Sequence, residues 1–256
     1  MADAEHKLPR FYAPSLAVGQ LTLDEGEAHH ALRVLRLETG DPVELFDGHG
    51  GAATARITNI RRDRVVAAIE DLLPPRLRPR PGVHLAFAIP KGKRLDWLLE
   101  KATELGAASL TPVVFQRSVA GGETLSQAKR QRWMSHCISA AKQCRLDFLP
   151  TINDPRPLAE LLGGTGVGPL DRTALRLVGA LCEGSLRLGE ALKRRQPGGP
   201  IVILVGPEGD LTAQEYAAAF AAGFVPVLLG HTVLRVETAA VALLGAVMAL
   251  VDGESP

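Results

Sequence analysis

The sequence predicts an α/β protein whose C-terminal domain is built on a parallel sheet and whose N-terminal part is a small β-barrel. Three observations carry that expectation. Ile201-Val202-Ile203-Leu204-Val205 runs into Gly206-Pro207-Glu208-Gly209, and about twenty residues later Leu229-Gly230 ends a second apolar run. Short apolar runs bounded by Gly and Pro are the pattern of strands buried on both faces, so both loops should open at the carboxyl edge of a parallel sheet, where such sheets bind ligands. Upstream, short strand candidates recur about every ten residues, and a stretch with four prolines separates the two patterns.

In the first part, residues 20–23, 42–46, 53–60 and 65–72 are apolar runs between Gly, Asp and Asn turns. Residues 28–37 interrupt them as a helical segment with His30, Arg33 and Arg36. Residues 1–73 are therefore read as the barrel, 74–82 as a stiff, basic Pro/Arg-rich linker, and 83–256 as the α/β domain.

Within that domain residues 84–89 form a strand, after which Leu95, Leu98, Leu99, Ala102 and Leu105 recur at helical steps and Gly106 ends the helix. Residues 110–115 are the next strand. Residues 125–145 read as a long helix with Trp133, Cys137, Ala140, Ala141 and Cys144 on one face and Lys129, Arg130, Arg132 and Lys142 on the other. The glycine cluster at 163–168 imitates a dinucleotide fingerprint, but it follows a helix at 158–162 rather than a strand, so it reads as a loop. Residues 175–181 are another strand. Thr212 and Glu215 make a capping box for a helix that Gly223 ends. The last helix, 239–251, is apolar on every side and must be covered all round, either by a second subunit or by the rest of the chain.

Bulk properties narrow the function classes. With 256 residues and 46% apolar content the chain can bury a sizeable core. Its longest apolar stretch has 13 residues and the N-terminus lacks an apolar leader core, so no membrane partner and a cytoplasmic location are expected. Cys137, Cys144 and Cys182 form no Cys-x-x-Cys pair, and the histidines, His29-His30 included, show no zinc spacing, so no metal site is expected. The net charge of +1 is uneven: residues 83–145 hold 10 basic against 4 acidic side chains, a local +6. A solvated helix face and an RNA-facing patch explain that excess equally well.

Several motifs occur together and in order: Arg10-Phe11-Tyr12, His29-His30, Val34-Leu35-Arg36, Phe46-Asp47-Gly48, Lys101 to Gly106, Arg117-Ser118, Gln143-Cys144-Arg145, Val205 to Gly209, Leu229-Gly230, Val233-Leu234-Arg235 and Glu237-Thr238-Ala239-Ala240. Together they resemble the ribosomal RNA small-subunit methyltransferase E family of the SPOUT superfamily over nearly the whole chain. Asp210 departs from the pattern where the family usually has glycine, and Leu211 where it usually has phenylalanine. The resemblance implies a PUA-like RNA-binding barrel, a SPOUT domain with a trefoil knot, a homodimer, and methylation of uracil N3 in 16S ribosomal RNA, the substrate sitting in a subunit particle. S-adenosylmethionine is the implied cofactor.

On that basis Leu204, Val205, Gly206, Pro207, Glu208, Gly209, Leu229, Gly230, Val233, Leu234, Arg235 and Ala239 are the expected cofactor residues. The glycines lack Cβ atoms and so admit close ligand approach. Arg235 is expected to be catalytic because an anionic imide needs a fixed cation, while Glu237 either orients Arg235 or accepts the proton, or is a favourable charge on a helix's first turn. Arg10, His30, Arg33, Arg36, Lys91, Lys93, Gln143 and Arg145 are the candidate RNA contacts, with Arg76, Arg78 and Arg80 of the linker adding charge. Two rivals remain: a non-catalytic RNA-binding or ribosome-assembly factor on the same fold, and an enzyme using another nucleotide, which the absence of a Gly-x-x-x-x-Gly-Lys-Ser/Thr loop disfavours.

Overall fold

The computed structural model describes residues 8–78, 82–118, 124–163 and 173–251; Pro79, Arg80 and Pro81 of the linker and glycine-cluster residues 164–168 lie outside these ranges. Two compact units divide the chain: Met1–Arg78 with Ala141–Leu149, and Pro79–Ala140 with Pro150–Pro256.

In the first unit five strands, β1 (Arg10–Tyr12), β2 (Gly19–Thr22), β3 (Pro42–Phe46), β4 (Ala52–Arg61) and β5 (Arg64–Leu72), form one sheet in the order β1-β3-β4-β5-β2. Only the β1–β3 pair is parallel. Alternating residues of β4 and β5, including Ala53, Ala55, Ile57, Val65, Ala67 and Ile69, point into a core with Phe11, Val43 and Leu45. Asp24 Oδ1 accepts from the Glu27 amide at 2.7 Å and starts α1 (Glu25–His29) one turn earlier than the apolar pattern suggests. The helix then widens into one π-helical turn, His30–Val34, so the expected helix over 28–37 is two short pieces.

The segment Ala141–Leu149 joins this unit through charge. Arg10 is buried, forms ion pairs with Glu44 (2.9 Å) and Asp147, donates to the Leu146 carbonyl at 3.0 Å, and lies 4.4 Å from the Phe46 ring centre. Burial pulls its guanidinium below the ordinary value, and Glu44 opposes that shift. Lys142 meets Glu27 at 2.7 Å, and Arg145, at φ +60°, meets Glu44 at 3.1 Å and the Leu8 carbonyl at 2.9 Å.

The second unit carries an all-parallel sheet of eight strands: β6 (Val83–Ala88), β7 (Ser109–Val114), β8 (Thr151–Ile152), β9 (Arg156–Pro157), β10 (Leu175–Gly179), β11 (Leu186–Arg187), β12 (Ile201–Val205) and β13 (Phe224–Leu228). Their order is β11-β13-β10-β12-β6-β7-β8, with β9 also on β7. β12 lies between β10 and β6, and all five of its residues are buried, which is why Ile201–Val205 is uninterruptedly apolar. The helices are α2 (Lys93–Glu104), α3 (Gln127–Cys144), α4 (Leu158–Leu162), α5 (Leu188–Leu192), α6 (Ala213–Ala221) and α7 (Val236–Val251). The Thr212/Glu215 capping box forms as expected, and Gly106 and Gly223 end their helices at φ +77° and +84°.

Within the single chain α7 is covered on one side only. Val236, Ala240, Leu243, Leu244, Val247 and Val251 are buried against β6, β12 and α2, while Ala242, Ala249 and Leu250 are exposed. The basic face of α3 is largely engaged within the second unit: Arg130 pairs with Asp154, Arg132 with Asp96, and Lys129 lies 5.4 Å from the Trp133 ring centre. Asp96 is already counted in the local balance, so of these contacts only Arg130–Asp154 offsets the local excess of +6.

Candidate active site

The carboxyl ends of β13, β10 and β12 open into one cavity of about 410 Å³, within the range of small-molecule sites. One wall is the loop after β12, Gly206 to Asp210. Another is the segment after β13, with Leu229, Gly230, Thr232, Val233 and Leu234, closed by Ala239 of α7. The two glycine loops do not sit on neighbouring strands, because β10 runs between them and supplies a third wall of Gly179, Ala180 and Leu181. Sequence reading found that strand but not its place, since strand order depends on pairings far apart in the chain.

The glycines are needed for space rather than for backbone freedom. Gly206, Gly209 and Gly230 are not in the left-handed region. A Cβ on Gly206 would collide with the side chain of Leu211, which is buried over it. A Cβ on Gly230 would meet nothing within 4 Å and would project into open space. The left-handed residue of the loop is Asp210, at φ +61°, where its short polar side chain is tolerated. Its Oδ1 accepts from the Leu211 amide at 2.8 Å and from the Tyr216 hydroxyl at 2.6 Å. Burial, and then this hydrogen bond, push the Tyr216 hydroxyl well above its ordinary pKa, so it stays a donor.

Two arginines outside the expected site residues hold the β12 loop: Arg94, which no motif marked, and Arg117 of the Arg117-Ser118 motif. Arg117 donates to the Gly209 carbonyl at 2.7 Å. Arg94, in the first turn of α2, meets Glu208 at 3.1 Å and Glu237 at 3.8 Å, linking the loop to the start of α7. Glu237 is buried and its Oε2 has no hydrogen-bond partner. The idea that Glu237 orients Arg235 fails here: Glu237 faces Arg94, and Arg235 is exposed without a polar partner among the described residues. Neither Arg235 nor Leu204 lines the cavity, Leu204 because its side chain is fully buried in the sheet.

A family model described as an RNA methyltransferase domain matches residues 78–248, and one for an RNA methyltransferase PUA domain matches 23–70. The ribosomal RNA small subunit methyltransferase E of Synechocystis sp. is 33% identical over 91% of this chain and 74% of its own. The chain belongs to this family. Among solved structures, the methyltransferase E of Neisseria gonorrhoeae bound to S-adenosyl methionine is 34% identical, with a TM-score of 0.81 over 95% of this chain and 98% of that one. A putative methyltransferase of Legionella pneumophila, in complex with the same cofactor, is 29% identical with a TM-score of 0.83 over 95% and 98%.

In this methyltransferase E chain the expected cofactor residues Val205, Gly206, Pro207, Glu208, Gly209, Leu229, Gly230, Val233, Leu234 and Ala239 all line the one cavity. Val227, Thr232 and Asp210 join them unannounced, because only the loop's path brings them to the wall. The RNA candidates separate into two groups. Arg33, Arg36, Lys91, Lys93 and Gln143 are exposed, Arg33 meeting only the exposed Asp63 at 3.4 Å. Arg10 and Arg145 are instead committed to ion pairs inside the first unit, and His30 packs edge-on against Phe11 with its pKa lowered by burial. Arg10 is a correction: a guanidinium enclosed by Glu44, Asp147 and Phe46 presents no donor to a phosphate.

Proposed function

We propose that this chain binds S-adenosylmethionine in the three-strand cavity and transfers the methyl group to uracil N3 in small-subunit ribosomal RNA. The observation that carries the reading is the cavity itself. Open space at Gly230, apolar flanks from Leu181, Leu229 and Val233, and main-chain donors and acceptors of the β12 and β13 loops suit a flat heterocycle on a polar tail. The cofactor, when bound, supplies an electrophilic methyl on a sulfonium.

The residues of the chain then have separate tasks. Arg235, exposed beside Leu234 at the cavity's edge, stabilises negative charge on the oxygens of a uracil that has lost its N3 proton. Glu237 is a buried structural charge that Arg94 compensates, rather than the proton acceptor. Arg33, Arg36, Lys91 and Lys93 provide phosphate contacts. The same reading includes a cytoplasmic enzyme acting on a subunit particle, a trefoil knot at the cofactor loops, and a homodimer. Exposed Leu250 on α7 and Leu181 and Val233 at the cavity rim support a second copy as cover.

Calorimetry with S-adenosylmethionine, ATP and NAD, followed by mass mapping of small-subunit RNA treated with enzyme and cofactor, tests this reading. Selective binding of the first ligand and a methyl on a uridine base are expected. Binding of another nucleotide instead, or cofactor binding without methyl transfer to any ribosomal substrate, would overturn it.

A further inference from the structure

Among the described residues the cavity wall contains two carboxylates, Glu208 and Asp210, and no Lys, Arg or His. These carboxylates are not equivalent. Glu208 faces Arg94 at 3.1 Å, a cation that it shares with Glu237 at 3.8 Å. Asp210 forms no ion pair among the described residues; its Oδ1 receives only neutral donors, the Leu211 amide and the Tyr216 hydroxyl. Arg117, which follows β7 and reaches this loop, donates to the Gly209 carbonyl, and Arg235 stands outside the lining. Asp210 is thus an exposed negative charge at the cavity wall with no direct ion-pair partner among the described residues, although the Arg117 guanidinium at the neighbouring Gly209 carbonyl keeps its positive charge. Asp210 is held there twice, by its left-handed backbone and by its tether to α6.

We infer that Asp210 sets the selectivity of this site for the cationic methyl donor over its neutral product. The inference rests on the cofactor assignment proposed above. Methyl transfer breaks the sulfur–methyl bond of the sulfonium; the electron pair stays on sulfur, and the ligand left behind is the thioether S-adenosylhomocysteine, one positive charge poorer. The two ligands share adenosine, ammonium and carboxylate, so the ratio of their affinities isolates the sulfonium charge. Asp210 is exposed, so the effective dielectric lies towards that of water; a carboxylate about 6 Å away at a dielectric between about 40 and 80 changes that ratio on the order of three- to tenfold. Glycine, the usual residue of the family at this position, supplies no such charge. Asp210 would therefore lessen competition by the product for the site at a given ratio of the two ligands.

The test is calorimetric titration of the full-length protein, without RNA, with S-adenosylmethionine, S-adenosylhomocysteine and the amine-bearing analogue sinefungin. Asp210→Asn keeps size and tolerance of positive φ, and Asp210→Gly removes the side chain without backbone cost. Both should lower the preference for the two cationic ligands over S-adenosylhomocysteine about three- to tenfold. Tyr216→Phe, which loses the tether but keeps the charge, should preserve the preference. Glu208→Gln should change it less than Asp210→Asn, because Arg94, though shared with Glu237, offsets part of the Glu208 charge. A preference unchanged within twofold in both Asp210 variants would overturn the inference, as would an equal loss in Tyr216→Phe, which would point to loop geometry instead. A wild type that bound none of the three ligands would overturn the cofactor assignment, and this inference with it.

Discussion

Replacing Gly230 with valine tests the cavity as a ligand site without disturbing the fold. The position has ordinary backbone angles, and a Cβ there has nothing within 4 Å, so the variant incurs neither strain nor collision. Its stability should stay within about 0.5 kcal/mol of wild type. Three added carbons in a cavity of about 410 Å³, at the loop that forms one wall, should nevertheless exclude a well-fitted ligand. Affinity for S-adenosylmethionine should fall at least tenfold, about 1.4 kcal/mol. Gly206→Ala is the matched opposite. Its Cβ would overlap Leu211 Cδ1 and drive that buried side chain out of place, while Leu211 Cγ lies at an ordinary contact distance of 3.6 Å. Overpacking of that kind costs about 1–3 kcal/mol, which for a chain of this size lowers the melting temperature by roughly 2–12 °C. Thermal unfolding and calorimetry on the two variants separate the effects. Near-normal binding by Gly230→Val, or an unaltered melting temperature for Gly206→Ala, would refute the account of these loops.

Arg235→Ala should reduce single-turnover methylation about a hundredfold or more while cofactor affinity stays within a fewfold, and Arg235→Lys should recover little because an ammonium lacks the planar two-point contact; near-normal methylation by the alanine variant would remove Arg235 from the chemistry. Arg94→Ala leaves Glu237 buried beside no cation. With Arg94 itself about a third exposed, solvent screening reduces the cost to about 1–2 kcal/mol, and Glu237→Gln in the same chain should restore the melting temperature; failure of that rescue would show that the pair is not coupled. Leu250→Glu should weaken dimerisation in sedimentation analysis with little loss of stability, whereas Val247→Glu, at a fully buried position, should unfold the protein; a wild type that is monomeric at micromolar concentration ends the dimer reading. Arg33→Ala with Arg36→Ala should make RNA affinity less salt-dependent, lowering the slope by about 1–2; an unchanged slope would place the phosphate contacts elsewhere.

Much of the second unit is legible from short-range pattern. The strand at Ile201–Val205, the capping box at Thr212 and Glu215, and the stops at Gly106 and Gly223 depend on neighbours a few residues away, so the local sequence encodes them. The glycine loops after Val205 and Leu228 mark the cavity for the same reason, since a strand end and a missing Cβ are both visible in the sequence. α1 was less legible: the Asp24 cap, a local signal that apolar spacing overlooks, starts it early, and a π turn follows it.

What only the tertiary structure decided is which like residues have unlike fates. Arg10 and Arg33 look equivalent in the sequence, yet one is enclosed by carboxylates and an aromatic ring and the other is exposed. Arg94 carried no motif, and its partner Glu208 lies 114 residues away. Removing residues 1–82, the obvious way to isolate the RNA-binding part from sequence alone, would strip Ala141–Leu149 of partners such as Arg10, Glu27 and Glu44. Periodicity and caps are properties of adjacent residues, and the sequence determined those. Burial, charge pairing and the placing of β10 between the two glycine loops arise from segments a hundred residues apart, whose energies exist only once the chain has brought them together.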